Sequence, residues 1–160
     1  MTAPDIIEQL QLEPHPEGGF YKETYRAGFS ISNPDNKQRN ISTAIYYLLQ
    51  ETDKSHFHRI QSDECWFFHE GQALEILTIQ DGRLVTITLG KNLHEGETLQ
   101  AVIPAGIWFA ARVKSETGFG LVSCTVAPGF DFADFEMAER GHLSNAYPGL
   151  KEIISEFTKG

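Results

Sequence analysis

The sequence predicts an all-β fold, a sandwich or barrel of about eight to ten short strands with a short helix near each end. Two observations lead to this prediction. Between Phe20 and Val126, short apolar runs with strand-like patterns alternate with turns rich in Gly and Asp. In addition, Asp81 and Gly82 separate two of these runs, and an Asp-Gly pair is typical of the tight turn in a β-hairpin.

Each predicted strand is a run of alternating or continuously apolar residues. The run Ile41–Leu49 is apolar and aromatic almost throughout, as expected of a strand that is buried on both faces. Pro128 and Gly129 end the β region. The predicted strands are Phe20–Arg26, Ile41–Leu49, His56–Ile60, Cys65–His69, Leu74–Ile79, Leu84–Leu89, Leu99–Ile103, Ile107–Val113 and Gly120–Val126.

Short helices are predicted at the two ends of the chain. Pro4 and Asp5 suit the first turn of a helix, and apolar residues follow them at helical spacing. The segment Leu150–Phe157 has the same spacing and is predicted to form a closing helix. The segment 130–137 has no clear pattern.

The size and charge of the chain limit what it can be. Its 160 residues, with 41% hydrophobic side chains, predict a single globular domain over positions 1–160. The net charge is −9 and the basic residues are not clustered, so binding to nucleic acid or to an anionic membrane is not expected. Cys65 and Cys124 lie far apart inside apolar runs, which favours free thiols in a reducing compartment and predicts a cytoplasmic location.

The strongest candidate for a functional site contains His56, His58 and Glu64. Residues two apart on an extended strand project from the same face, so the two imidazoles are expected to leave the strand together. Two imidazoles and a carboxylate at one place can bind a divalent metal ion, or they can carry out acid–base chemistry.

Aromatic residues around this stretch predict a ligand cavity. By strand alternation Trp66 and Phe68 share the face of Glu64, so they line an internal cavity if Glu64 points inward. Flat aromatic walls beside a few polar groups suit a cyclic ligand such as a sugar or a base. His15 and Glu17 lie in a loop rich in Pro and Gly, at a place suited to the mouth of a pocket. The predicted ligand-binding residues are Glu17, Tyr47, Trp66, Phe68 and Trp108.

Several blocks of the sequence resemble the cupin superfamily, in a branch of unknown function. The stretch from His56 to Gly71 resembles the first cupin motif, although five residues separate His58 from Glu64 where the motif has three or four. Residues 104–109 resemble the second motif, with Phe109 at the position of its histidine. The other matching blocks are residues 15–21, 42–49 and 126–136, and the block around the second motif begins at Val102 and runs to Trp108.

The resemblance implies a double-stranded β-helix, the cupin jelly-roll barrel, with short N- and C-terminal helices, and it implies a homodimer. It also offers an analogy with cupin sugar isomerases and nucleotide-sugar epimerases. The leading hypothesis is therefore an isomerase or epimerase that acts on a sugar-like or nucleotide-like small molecule. In this hypothesis His58 is the base, Glu64 orients it or shares its proton, and His56 or a pocket tyrosine is the acid.

Two alternatives remain open from the sequence. One is a metal-dependent enzyme that uses His56, His58 and Glu64 as ligands. The other is a binding module without catalysis, which holds a sugar or nucleotide in the barrel. No cofactor is required by the leading hypothesis, and any divalent metal is expected to be weakly held because Phe109 cannot act as a ligand. We also expect His58 to face a hydrated cavity, so that its replacement by alanine costs no more than about 1 kcal/mol of stability.

Overall fold

The computed structural model describes residues 1–160 and contains thirteen β-strands and three short α-helices. The strands are β1 Glu13–Pro14, β2 Phe20–Arg26, β3 Ser30–Ser32, β4 Gln38–Asn40, β5 Thr43–Gln50, β6 Lys54–Arg59, β7 Asp63–Gly71, β8 Leu74–Gln80, β9 Arg83–Leu89, β10 Gln100–Ile103, β11 Trp108–Val113, β12 Phe119–Ala127 and β13 Glu136–Met137. The helices are α1 Ala3–Gln9, α2 Arg140–Ala146 and α3 Lys151–Glu156. The predicted all-β class with short terminal helices is confirmed.

Two antiparallel sheets form the body of the protein. One has six strands in the order β1-β2-β5-β12-β7-β10, and the other has five in the order β13-β6-β11-β8-β9. The short strands β3 and β4 make a separate hairpin. Side chains from both sheets form the main core, which includes Trp66 and Val122 from the six-stranded sheet and Ile76 and Phe109 from the five-stranded sheet. The sequence alternates because each sheet has one face toward this core.

The hairpin between β8 and β9 has the turn that the sequence predicts. Asp81 has φ 51° and Gly82 has φ 74°, so both central residues lie in the left-handed region. Positive φ at both positions matches the right-handed twist of the flanking strands, and Asp and Gly are the residues that tolerate it. The two strands pair in register from Leu74 opposite Leu89 to Gln80 opposite Arg83.

Strand β5 is covered on both sides, as its apolar sequence predicts. Tyr47 and Leu49 belong to the main core, whereas Leu48 packs on the other face against Ile6 of α1. Helix α1 begins with a capping box, in which the side chains of Thr2 and Asp5 each accept a hydrogen bond from the other's backbone N–H.

The C-terminal region differs from the prediction by one helix. Besides α3, which agrees with the predicted closing helix, residues Arg140–Ala146 form α2. Glu139 caps α2 by accepting hydrogen bonds from the backbone N–H groups of Gly141 and His142. Leu143 of α2 and Ile154 of α3 pack against the outer face of the five-stranded sheet. A helix of seven residues shows too few turns for its apolar period to be recognised in the sequence. None of the helices has the length and apolar character needed to span a membrane.

Candidate active site

A small cavity opens between the sheets, and it contains two of the three residues that the sequence analysis placed in the candidate site. Both His58 and Glu64 line it. The volume open to the centre of a water molecule is about 30 Å³, which is room for about two waters. The polar residues that line the cavity are His15, Glu17, Tyr21, Tyr47, His58 and Glu64. The other lining residues are Ile45, Ile60, Trp66, Cys124, Val126, Phe130 and Phe135.

His58 and Glu17 form a buried pair in the wall of this cavity. His58 Nε2 lies 2.5 Å from Glu17 Oε2, and the two side chains are only 4% and 7% exposed. His58 Nδ1 lies 2.7 Å from the backbone oxygen of His56, which can only accept a hydrogen bond. His58 therefore donates from Nδ1, so the hydrogen bond at Nε2 requires a proton that is either on the imidazole or on the Glu17 carboxyl. The pair shares one proton.

Each member of this pair stabilises the charged form of the other. Burial alone lowers the pKa of His58, but the Glu17 carboxylate outweighs it, and the pKa of His58 lies above its ordinary value of 6.5. Burial alone raises the pKa of Glu17, but the charge and hydrogen bond of His58 outweigh it, and the pKa of Glu17 lies below its ordinary value. Both pKa shifts favour the same state of the pair, in which His58 is protonated and Glu17 is ionised.

The position of Glu17 depends on how closely its loop approaches β6. The backbone oxygen of Glu17 accepts hydrogen bonds from the backbone N–H of His56 and, at 2.7 Å, from the His56 ring. Gly18 has φ 112°, and a Cβ there would lie 1.9 Å from the backbone oxygen of Lys54. Only glycine permits this contact. The Gly18 backbone oxygen also accepts a hydrogen bond from the Tyr47 hydroxyl.

His56 does not line the cavity, which corrects its predicted place beside His58. The Glu17–Gly18 backbone lies against the strand at His56, and the Glu17 backbone oxygen forms a hydrogen bond with His56 Nδ1. The two histidines do leave β6 on one side, but the loop separates the first of them from the cavity. The sequence could not show this, because strand alternation says nothing about a loop that is distant in the chain.

Glu64 is a second buried carboxyl with different surroundings. Its Oε1 accepts a hydrogen bond of 2.6 Å from the Trp66 indole. Burial and the nearby charge of Glu17 raise the pKa of Glu64 to about 7, although His58 and Trp66 act in the opposite direction. Glu64 therefore changes its protonation state near neutral pH, whereas Glu17 stays ionised there.

His15 lies on the other side of Glu17. Its Nδ1 accepts a hydrogen bond from the Glu17 backbone N–H at 3.1 Å and lies 3.6 Å from Glu17 Oε1. Burial lowers the pKa of His15, so the ring is neutral near pH 7. The role that the sequence indicated for this loop, at the mouth of a pocket, agrees with its place.

An aromatic segment that the sequence analysis left without a pattern covers the cavity. Phe135 lies with its ring centre 5.4 Å from that of His58, and Phe130 lines the cavity beside it. The Phe130 N–H donates to Thr43 Oγ1 at 2.9 Å. Arg39 holds the segment from outside through two hydrogen bonds of 2.8 Å to the Asp134 carboxylate. We call residues 129–135 the cover segment. It has no strand or long-helix period, so sequence reasoning missed it.

The predicted ligand-binding aromatics divide into two groups. Tyr47 and Trp66 line the cavity. Phe68 packs against the main core instead, and Trp108 packs against the helices on the outer face of β11, where the Arg59 guanidinium lies 4.3 Å from its ring centre. These two residues are therefore not part of the cavity wall.

The residues do not fit a metal ion of the kind that the cupin motifs imply. No group of three or more His, Cys, Asp and Glu side chains is arranged to hold one, so the predicted set of His56, His58 and Glu64 is not assembled. Both nitrogens of His58 are used by hydrogen bonds. Phe109 replaces the histidine of the second motif, and its ring centre lies 4.1 Å from that of His58.

Comparison with known proteins identifies the family. The sequence profile described as "Cupin superfamily (DUF985)" matches residues 4–138. The chain belongs to this family. An uncharacterised protein of Saccharomyces cerevisiae, YML079W, is 32% identical over 144 residues, which cover 81% of this chain and 71% of the yeast protein.

Several solved structures share the fold. A hypothetical protein from Leishmania major is 35% identical with a TM-score of 0.95, and the match covers 100% of both chains. Protein SO0799 from Shewanella oneidensis is 40% identical with a TM-score of 0.91, covering 99% of this chain and 98% of that one. A Klebsiella pneumoniae protein with a double-stranded β-helix domain, 16% identical with a TM-score of 0.55, covers 82% of this chain and 93% of its own, and it shares the fold alone. The predicted double-stranded β-helix is confirmed.

Proposed function

We propose that this cupin is an isomerase or epimerase that moves a proton on a carbon next to a carbonyl group. The single observation that carries the proposal is the contrast between two buried carboxyls in one cavity. The pKa of Glu64 is raised to about 7, while the pKa of Glu17 is lowered by its contact with His58. Two titratable groups whose pKa values are pushed apart are typical of an acid and a base that act together.

Glu64 is the base in this proposal. Its Oε1 is held by the Trp66 indole, which leaves the other oxygen for a substrate C–H group. A carboxylate with a pKa near 7 is a stronger base than an ordinary glutamate, and part of it is ionised at neutral pH. His58 suits this role less well than the sequence analysis expected, because both of its nitrogens already take part in hydrogen bonds.

The acid is the proton that Glu17 and His58 share. As Glu64 removes a proton from a hydroxyl-bearing carbon, the electron pair of that C–H bond forms a C=C bond to the carbonyl carbon. The π pair of the carbonyl moves to its oxygen, which takes the shared proton, and an enediol results. Return of the proton to the opposite face of the same carbon, with the carbonyl re-formed and its proton returned to the Glu17–His58 pair, gives the epimer. Return to the former carbonyl carbon, while the other hydroxyl gives its proton to that pair and becomes the new carbonyl, gives the isomer. His56 has no part in these steps because it lies outside the cavity.

Solvent isotope exchange tests the proposal without knowledge of the product. The protein is incubated in D2O with a panel of small aldoses, ketoses and their phosphate esters, and deuterium at the carbon next to the carbonyl is measured by NMR. We expect incorporation into at least one compound, because a carboxyl in contact with substrate exchanges its proton with solvent. Glu64→Gln, which keeps the shape but not the base, should reduce incorporation at least about a hundredfold.

Glu70→Gln is the matched control, because Glu70 is exposed on the same strand and does not line the cavity. Its incorporation should equal that of the wild type. If no compound in the panel exchanges, or if Glu64→Gln exchanges as fast as the wild type, the proposal is wrong and the binding module without catalysis takes its place.

The homodimer, the single domain and the cytoplasmic location stay predictions.

A further inference from the structure

The cavity is too small for a complete ligand, but a much larger space adjoins it. A surface groove of about 460 Å³ shares Tyr21 and Phe130 with the cavity wall. Pockets for small molecules are typically of this larger size. Because the two spaces meet at these aromatic rings, a ligand can place a small end in the cavity while its remainder lies in the groove. The groove is lined by Glu13, Tyr21, Lys22, Glu23, Arg26, Phe130, Asp131 and Phe132.

The charges inside the cavity do not suit an anion. His58 is the only residue there whose cationic form is favoured, and the carboxylate of Glu17 already neutralises it at 2.5 Å. Glu64 adds a second carboxyl, and the remaining wall is mostly apolar. A carboxylate or phosphate placed here would meet like charges without a free cation to stabilise it.

The charged residues that line the groove do not suit an anion either. Arg26 donates to the Glu23 carboxylate at 2.6 Å and to the backbone oxygen of Phe130 at 3.0 Å, so its guanidinium is already engaged. Lys22 is then the one groove cation without an ion pair. The carboxylates of Glu13 and Asp131 line the same groove and offset its charge. Lys159, whose Nζ donates to the Pro16 backbone oxygen, lines neither space.

The aromatic rings at the junction indicate what does fit. Tyr21 and Phe130 line both spaces, and Phe132 of the cover segment is 52% exposed in the groove. Apolar ring faces beside hydrogen-bonding carboxylates suit a compound with C–H faces and hydroxyl groups. We infer, on the basis of the function proposed above, that the ligand is an uncharged hydroxyl- and carbonyl-bearing compound such as a free sugar, rather than a phosphate ester or a nucleotide sugar.

Matched pairs of probes test this inference. Saturation-transfer NMR titrations are run with the free sugars glucose, mannose, fructose and xylose, with their phosphate monoesters, and with uridine diphosphate glucose and inorganic phosphate. We expect at least one free sugar to bind at millimolar concentration, and its phosphate ester to bind at least about tenfold more weakly. Tighter binding of any ester, of the nucleotide sugar or of inorganic phosphate overturns the inference, as does the failure of every free sugar to bind.

A charge change in the groove provides a second measurement. Glu13 is exposed and has no ion pair, so Glu13→Lys should raise the affinity for the ester, relative to that for the free sugar, roughly two- to fivefold. The control Glu95→Lys makes the same charge change outside the groove and should alter neither affinity. An ester affinity that rises no more in Glu13→Lys than in the control shows that the ligand does not reach the groove, and this overturns the inference.

The outcomes separate this inference from the proposed function. Deuterium exchange into a phosphorylated substrate would support the enzyme and overturn the uncharged ligand. A free sugar that binds but does not exchange under the same conditions would support the ligand class and overturn the isomerase.

Discussion

Glu17 Oε2 lies 2.5 Å from His58 Nε2, inside a cavity where neither residue is open to solvent. The contact joins a loop near the N-terminus to a strand of the five-stranded sheet. It engages His58 Nε2, and it makes His58 part of a proton-sharing pair. This contact lowers the pKa of Glu17 and so supplies one half of the contrast with Glu64 on which the proposed chemistry rests.

Removal of Glu17 should change the titration of His58. Without its carboxylate partner, burial is the dominant influence, and we expect the pKa of His58 in Glu17→Gln to fall below its ordinary value of 6.5. A pH titration of the imidazole resonances by NMR measures this. The control Glu139→Gln removes the partner of the exposed His142 and should leave His58 unchanged. An unaltered His58 titration in Glu17→Gln would contradict the pairing.

Replacement of His58 should be costly to stability, in contrast to the small cost that the sequence analysis predicts. His58→Ala leaves the Glu17 carboxylate buried without a cation, and the loss of one partner of a buried pair costs about 3–5 kcal/mol. Urea denaturation measures the free energy of unfolding. His142→Ala, at a side chain that is 91% exposed, should cost less than about 0.5 kcal/mol. A cost of 1 kcal/mol or less for His58→Ala would show that the buried pair contributes little.

Glu64 should make the protein less stable as the pH rises. Below its ordinary pKa of 4.5 the carboxyl is protonated in both the folded and unfolded chains. Between pH 4.5 and about 7 only the unfolded chain ionises, so the fold loses stability, by about 3 kcal/mol once the pH exceeds the folded pKa. Glu64→Gln does not ionise and avoids this loss.

The unfolding free energy of Glu64→Gln relative to wild type should therefore increase from pH 5 to pH 8. Urea denaturation at a series of pH values gives the difference, and Glu70→Gln should show none. A difference that is constant with pH would mean that the pKa of Glu64 is not raised.

The Arg39–Asp134 pair should hold the cover segment closed. Arg39→Gln removes both hydrogen bonds to the Asp134 carboxylate, so the backbone amides of residues 129–135 should exchange with solvent roughly tenfold faster or more. Hydrogen-exchange mass spectrometry measures this rate. Arg83→Gln on β9, a strand distant from the cover, is the control and should leave the exchange unchanged. Equal exchange in both variants would mean that the pair does not restrain the segment.

Metal content should be low. Because both His58 nitrogens are engaged and Phe109 contacts the ring, we expect elemental analysis of protein purified without added metal to find no stoichiometric zinc, iron or manganese. A one-to-one content of any of these metals that Glu64→Gln or His58→Ala abolishes would contradict this prediction and favour the metal-dependent enzyme.

The local elements could be predicted because their signals are local. Period-two alternation marks the strands, and the Asp81-Gly82 pair marks the hairpin turn, since only certain residues adopt positive φ easily. Most predicted strands agree with the observed ones to within one or two residues. Helix α2 could not be predicted, because its stability comes from burying Leu143 against the sheet rather than from a visible period.

The sequence by itself determined the all-β barrel, the cupin resemblance, and the presence of His58, Glu64, Tyr47 and Trp66 at one cavity. The strands and the shared face of Glu64 and Trp66 follow from strand alternation, which acts over a few neighbouring positions. The cupin barrel is what the resemblance of several sequence blocks implies. Only the tertiary structure decided that Glu17 pairs with His58, that the same loop excludes His56, and that Phe130 and Phe135 cover the site. Those contacts join segments far apart in the chain, and their distances and burial, which set the pKa values, exist only once the fold has formed.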